Sequence, residues 1–178
     1  MTAPMAPPGV TSPAPAETEA AETSRLYLEG IVAGLLGAGT IAVWFLIVDT
    51  MQGRPFYTPT VLGTMLFRRG EGLVSPEGLS ASLEMVLMYT WVHGLVFGVL
   101  GGIASRLLAV AEKKPDLGFG ILLLFVVFEF GFVTVAWVVA EPVLRALTWP
   151  AVLVGNLLAA AAMAGYLWRR HPQLRIRP

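Results

Sequence analysis

One stretch of the sequence, Leu117 to Ala140, restricts the fold more than any other. It is 24 residues long and carries a single formal charge, Glu129, near its centre. As a helix it would extend ~36 Å, enough to cross a hydrocarbon core of ~30 Å. A carboxylate in the middle of a bilayer is costly unless it faces partner helices or a wet cavity. The chain is therefore expected to lie in a membrane and to surround Glu129 with other helices.

Three further segments have the length and composition of membrane spans. They cover residues 26–51, 83–108 and 149–168, and Gly30 to Val48 alone gives 19 residues without a charge. Trp149 and Trp168 stand at the two ends of the last segment, where aromatic residues anchor helices at the bilayer interfaces. We predict an all-α, polytopic membrane protein, a bundle of four transmembrane helices within residues 25–170.

The segments outside these spans are short. Residues 1–24 hold five of the 13 prolines and bury too little apolar surface to order, so a disordered tail is predicted. After the first span, Thr58-Pro59-Thr60 is typical of a helix start and Arg68-Arg69 of a helix end. A short interfacial helix is predicted at about residues 60–69, and residues 171–178 form a basic tail.

Small residues recur at helical spacing in the first two spans. Gly30, Gly34 and Ala38 stand four apart in one span, and Gly94, Gly98 and Gly102 do so in the other. Such stripes let helix backbones approach closely. We expect the stripe of the first span to serve packing within the chain rather than a dimer interface.

The distribution of basic residues predicts the topology. Four spans place both termini on one side, together with eight of the 12 Lys and Arg residues, against four on the other side. The positive-inside rule then puts both termini in the cytoplasm. Ten of the 12 are Arg, which together with abundant Ala, Gly and Pro favours a bacterial inner (cytoplasmic) membrane.

Each predicted span carries a polar side chain toward its outer half. At ~1.5 Å per residue, His93 lies ~15 Å and Glu129 ~17 Å from the outer ends of their helices. A shared interior cluster is predicted, made of Thr40, His93, Glu129 and Asn156. It has two interpretations: a structural hydrogen-bond network that fixes helix register, or a proton-handling His93–Glu129 pair.

Charged residues also mark the outer ends of the spans. This outer rim consists of Asp49, Arg54, Glu84, Glu141 and Arg145. Charges at span ends are usually solvated anchors, although a rim of this kind can also attract cations or a soluble partner.

Composition and motifs limit the possible functions. There is no cysteine, the formal net charge is zero, and no nucleophile, phosphate-loop or metal-ligand motif is present, so no catalytic residue, metal, cofactor or nucleic-acid partner is predicted. The expected partners are the lipid bilayer and other membrane subunits or further copies of the chain. Three hypotheses stay open: a non-enzymatic subunit or scaffold of a membrane assembly, a proton-linked transporter or channel, and a quinone- or haem-associated redox protein.

Overall fold

The computed structural model describes residues 15–69, 80–120, 123 and 149–171. Four α-helices account for most of these residues: α1 (Pro15–Met51), α2 (Tyr57–Arg68), α3 (Leu83–Lys113) and α4 (Trp149–Arg170). A 3₁₀ turn, Pro115–Leu117, follows α3. The described part of the chain is all-helical, in agreement with the predicted fold class.

Three of the helices are long and apolar enough to cross a membrane. They contain the segments Glu19–Met51, Leu83–Lys113 and Pro150–Arg170, and the shortest has 21 residues, ~32 Å of helix. A multi-pass membrane protein is thus supported by length and composition. Most of the predicted span 117–140, including Glu129, lies outside the described residues.

The first helix begins earlier than predicted. Residues 15–24 were expected in a disordered tail, but α1 starts at Pro15 and continues without a break to Met51. Proline is tolerated at the first helical position, and Glu19-Ala20-Ala21-Glu22 consists of strong helix formers. The first helix is therefore longer than the predicted span 26–51 by about three turns at its N-terminus.

Glycines bring α1 and α3 into backbone contact. A Cβ added at Gly30 would lie 2.5 Å from the carbonyl oxygen of Gly101, and one added at Gly34 would collide with the carbonyl of Phe97. The helices run antiparallel, and Ser105 Oγ donates to Leu26 O at 2.8 Å near one end. The predicted packing within the chain is confirmed for Gly30 and Gly34, with Gly101 rather than Gly94 in closest contact.

The last helix, α4, packs along another side of α1. Trp44 Nε1 donates to the carbonyl oxygen of Ala151 at 2.8 Å. A Cβ at Gly155 would lie 2.9 Å from Trp44 Cδ1, and one at Gly37 would lie 2.7 Å from Met163 Sδ. In the described part of the chain α1 is thus flanked by α3 and α4.

The short helix α2 covers the beginning of α3. A Cβ at Gly63 would lie 2.6 Å from Met85 O, and Ser82 N donates to Thr60 Oγ1 at 3.2 Å. Val61 and Thr60 are almost completely buried, whereas Leu66 and Phe67 are exposed. The helix predicted at about residues 60–69 therefore corresponds to α2, which begins at Tyr57 and ends at Arg68.

Candidate intramembrane binding site

An apolar groove runs between α1 and α3. Its volume is about 1210 Å³, and its wall includes Thr58, Pro59 and Leu62 of α2 and the preceding residue Phe56. Along α1 it extends from Tyr27 to Asp49, which is ~33 Å of helix and about the thickness of a hydrocarbon core. Its few polar lining residues lie near its two ends or around His93. Such a groove suits the hydrocarbon part of a ligand.

His93 lines this groove and has a buried ring nitrogen. Its ring stacks on Tyr89 with centroids 5.4 Å apart and tilts against Phe97 at 4.6 Å. Nδ1 lies 3.5 Å from Tyr89 Oη, at the outer limit of a hydrogen bond. Nε2 is buried and has no hydrogen-bond partner among the described residues. A buried donor or acceptor left unpaired costs about 1–3 kcal/mol.

Of the other predicted members of the interior cluster, the structure describes Thr40 and Asn156. Thr40 Oγ1 donates to Leu36 O at 2.8 Å, so its hydroxyl is satisfied within its own helix. Asn156 lies in α4 and is half-buried. Glu129 lies outside the described residues, and the predicted His93–Glu129 contact stays a prediction.

The outer-rim residues that the structure describes all contact α2. Asp49, predicted near water, is instead 2% exposed, because its carboxylate accepts from Thr58 N and Thr58 Oγ1, both at 2.7 Å. Arg54 Cζ lies 4.0 Å from the centroid of the Tyr57 ring. Glu84 forms an exposed ion pair with Arg68 at 3.0 Å. These three residues join α2 to the ends of α1 and α3, and Glu141 and Arg145 lie outside the described residues.

A second polar cluster, which the sequence did not indicate, lies at the opposite end of the bundle. His171, predicted in a basic tail, has a side chain only 10% exposed. Its Nδ1 lies 2.9 Å from Glu112 Oε1, and its Nε2 lies 3.5 Å from Glu29 Oε2, an ion-pair distance without hydrogen-bond geometry. Arg25 Nε approaches Glu29 Oε1 at 3.3 Å. The cluster connects α1, α3 and the end of α4.

The described residues of the two clusters do not form a metal centre. Among residues 15–69, 80–120, 123 and 149–171, no three His, Asp or Glu side chains are grouped so that they could hold a metal ion. The chemistry that the described groove offers is hydrogen bonding and aromatic contact in an apolar setting.

No family model, curated protein or solved structure matches this chain. The functional argument therefore rests on the geometry of the groove and of the two clusters.

Proposed function

We propose that this protein binds a lipid-soluble molecule in the groove between α1 and α3, and that His93 holds the polar head of that molecule. The observation that carries the proposal is the buried Nε2 of His93, which lines a largely apolar groove and has no hydrogen-bond partner among the described residues. Buried polar atoms in native proteins are nearly always hydrogen-bonded, and an exception calls for a partner. A bound ligand would supply that partner.

The tautomer of His93 determines whether the ligand must present a hydrogen-bond donor or an acceptor to Nε2. Tyr89 Oη is the neighbour of Nδ1, and when the hydroxyl donates to Nδ1 the ring proton resides on Nε2. Nε2 is then a donor and the ligand must present an acceptor, such as a carbonyl oxygen. The rings of Tyr89 and Phe97 offer flat surfaces for a planar head group.

Depth narrows the class of ligand further. His93 lies ten residues from Leu83, the first residue of α3, ~15 Å along the helix and near the middle of a ~30 Å core. A charged head group is disfavoured there, whereas a neutral ring carbonyl with a hydrocarbon tail is not. A quinone with a hydrocarbon tail has this chemistry, and in this proposal it is bound without being transformed by the protein.

The proposal also includes the number of membrane spans, the position of α2 and the orientation of the termini. We infer a four-span bundle in which residues 117–140 supply the remaining crossing and α2 lies at the outer interface. Both termini then face the cytoplasm of a bacterium. A binding protein of this kind agrees with the predicted role as a non-enzymatic subunit, whereas proton-linked transport depends on the Glu129 contact.

Ligand-induced thermal stabilisation tests the proposal. Decyl-benzoquinone should raise the Tm of the purified protein in mild detergent, because a ligand that binds only the folded state stabilises it. His93→Leu should abolish the shift, and His93→Gln, which keeps an N–H donor, should retain part of it. Trp168→Phe, on the exposed surface of α4, serves as a matched control.

Two results would overturn the proposal. One is an equal shift in the wild-type protein and in His93→Leu. The other is an equal shift with decyl-benzene, which has the same tail and a planar ring but no carbonyl oxygen.

A further inference from the structure

The end of the groove opposite α2 has the features of a phospholipid site. Arg106 and Tyr27 both line the groove there, and Arg106 Cζ lies 5.7 Å from the centroid of the Tyr27 ring. Both side chains are exposed. A cation therefore lies at one end of an apolar groove, ~10 Å from the C-terminal end of α3.

In the described part of the chain, Arg106 forms no ion pair. Glu29 and Glu112, at the same end of the bundle, are already engaged by Arg25 and His171. The neighbouring Ser105 directs its hydroxyl to Leu26 O. No carboxylate of the described residues therefore occupies the guanidinium, and its planar donors match the oxygens of a phosphate.

The wall of the groove next to Arg106 matches a hydrocarbon chain. It is formed by Ile31 and Leu35 of α1 and by Val99 and Ile103 of α3, all of which are substantially exposed. From Arg106 to Leu95, α3 covers ~16 Å, about half of a ~30 Å hydrocarbon core. One leaflet's acyl chain therefore fits between the cation and the level of His93.

From this juxtaposition of an apolar channel and a cation that has no ion pair among the described residues, we propose that this end of the groove binds an anionic phospholipid. The phosphate pairs with the Arg106 guanidinium, and an acyl chain lies along Val99 and Ile103. The negative charge of the lipid complements Arg106, and the groove accepts a chain that the surrounding bilayer supplies. This site is separate from His93 and does not depend on the quinone proposal.

Native mass spectrometry of the full chain, with phosphatidylglycerol or phosphatidylcholine added in detergent, tests this site. Wild-type protein should retain phosphatidylglycerol in preference to phosphatidylcholine. Arg106→Gln should lower that preference roughly tenfold or more, as loss of a charge-assisted hydrogen bond implies, and Arg106→Lys should keep part of it. Val99→Trp, which fills the apolar channel, should lower retention of both lipids.

Arg170→Gln is the matched control, because Arg170 Cζ lies 5.6 Å from the Tyr166 ring centroid in α4 but does not line the groove. It should keep the wild-type preference, as should His93→Leu. Equal loss of preference in Arg170→Gln and Arg106→Gln would overturn the proposal. The proposal would also be overturned if the protein formed a lipid-free dimer, because a second copy of the chain would then occupy the groove instead of a lipid.

Discussion

The carboxylate of Asp49, near the end of α1, caps the first turn of α2 by accepting from both the amide and the hydroxyl of Thr58. Both distances are 2.7 Å, and Asp49 is 2% exposed. The residue at the N-cap position of α2, Phe56, has a φ of 65° and supplies no side-chain hydrogen bond. The cap thus comes from the preceding helix, which fixes the angle between the two.

Asp49→Ala should lower the free energy of unfolding by about 1–3 kcal/mol, because it removes a helix cap and leaves the Thr58 amide buried without an acceptor. Asp49→Asn should cost less, since its amide oxygen can still accept from that N–H. Reversible unfolding in mixed micelles, followed by circular dichroism, measures both. Glu84→Gln is the control: it breaks an exposed ion pair and should change the value by about 0.5 kcal/mol or less. Equal losses for Asp49→Ala and Glu84→Gln would refute the cap.

Much of the helical architecture followed from the sequence. Uninterrupted apolar runs and their length predict membrane helices, and α1, α3 and α4 include the predicted segments 26–51, 83–108 and 149–168. The start of α1 was not predictable in this way, because an Ala- and Glu-rich segment is compatible with both a helix and a solvated tail. Composition alone does not decide between them.

The polar contacts were much harder to predict than the helices. In the sequence, Asp49 resembles an ordinary charge at the end of a span. Its contact with Thr58 depends on the turn that contains Gly53, whose φ is +71°. His171 contacts Glu112, which is 59 residues away in the sequence, and no local sequence pattern indicates such a pair. Thr40 was predicted at a depth in the membrane similar to that of His93. Its hydroxyl instead donates to the backbone carbonyl of Leu36 on the preceding turn of its own helix. Depth along a helix is thus insufficient to define a cluster, because the direction of each side chain also matters.

Gly34→Ala should destabilise the contact between α1 and α3. An added Cβ would collide with the backbone carbonyl of Phe97, which cannot rotate away, so a loss of about 1–3 kcal/mol is expected. Gly39→Ala in the same helix is the matched control, because no atom lies within 4 Å of its added Cβ. It should be neutral or stabilising by up to about 1 kcal/mol. A stability ranking in the reverse order, measured by thermal unfolding in detergent, would contradict the close approach of the two helices.

Trp44→Phe should weaken the packing of α4 on α1. The substitution keeps an aromatic ring but removes the donor to Ala151 O, so the expected loss is about 0.5–1.5 kcal/mol. Trp168→Phe, at a residue 64% exposed, should have little effect on the same unfolding measurement. If both variants unfold at the temperature of the wild-type protein, the Trp44 hydrogen bond contributes nothing to the association of α4.

His171 should fasten the end of α4 to α3 through Glu112, and more weakly to α1 through Glu29. Only Nδ1 has hydrogen-bond geometry, at 2.9 Å from Glu112, whereas Nε2 stands 3.5 Å from Glu29. His171→Ala should therefore cost about 1–3 kcal/mol of unfolding free energy. Double-mutant cycles separate the two contacts, because residues that interact give non-additive losses. The coupling of His171 with Glu112→Gln should exceed its coupling with Glu29→Gln, and additive losses in both cycles would show that the histidine does not bridge these helices.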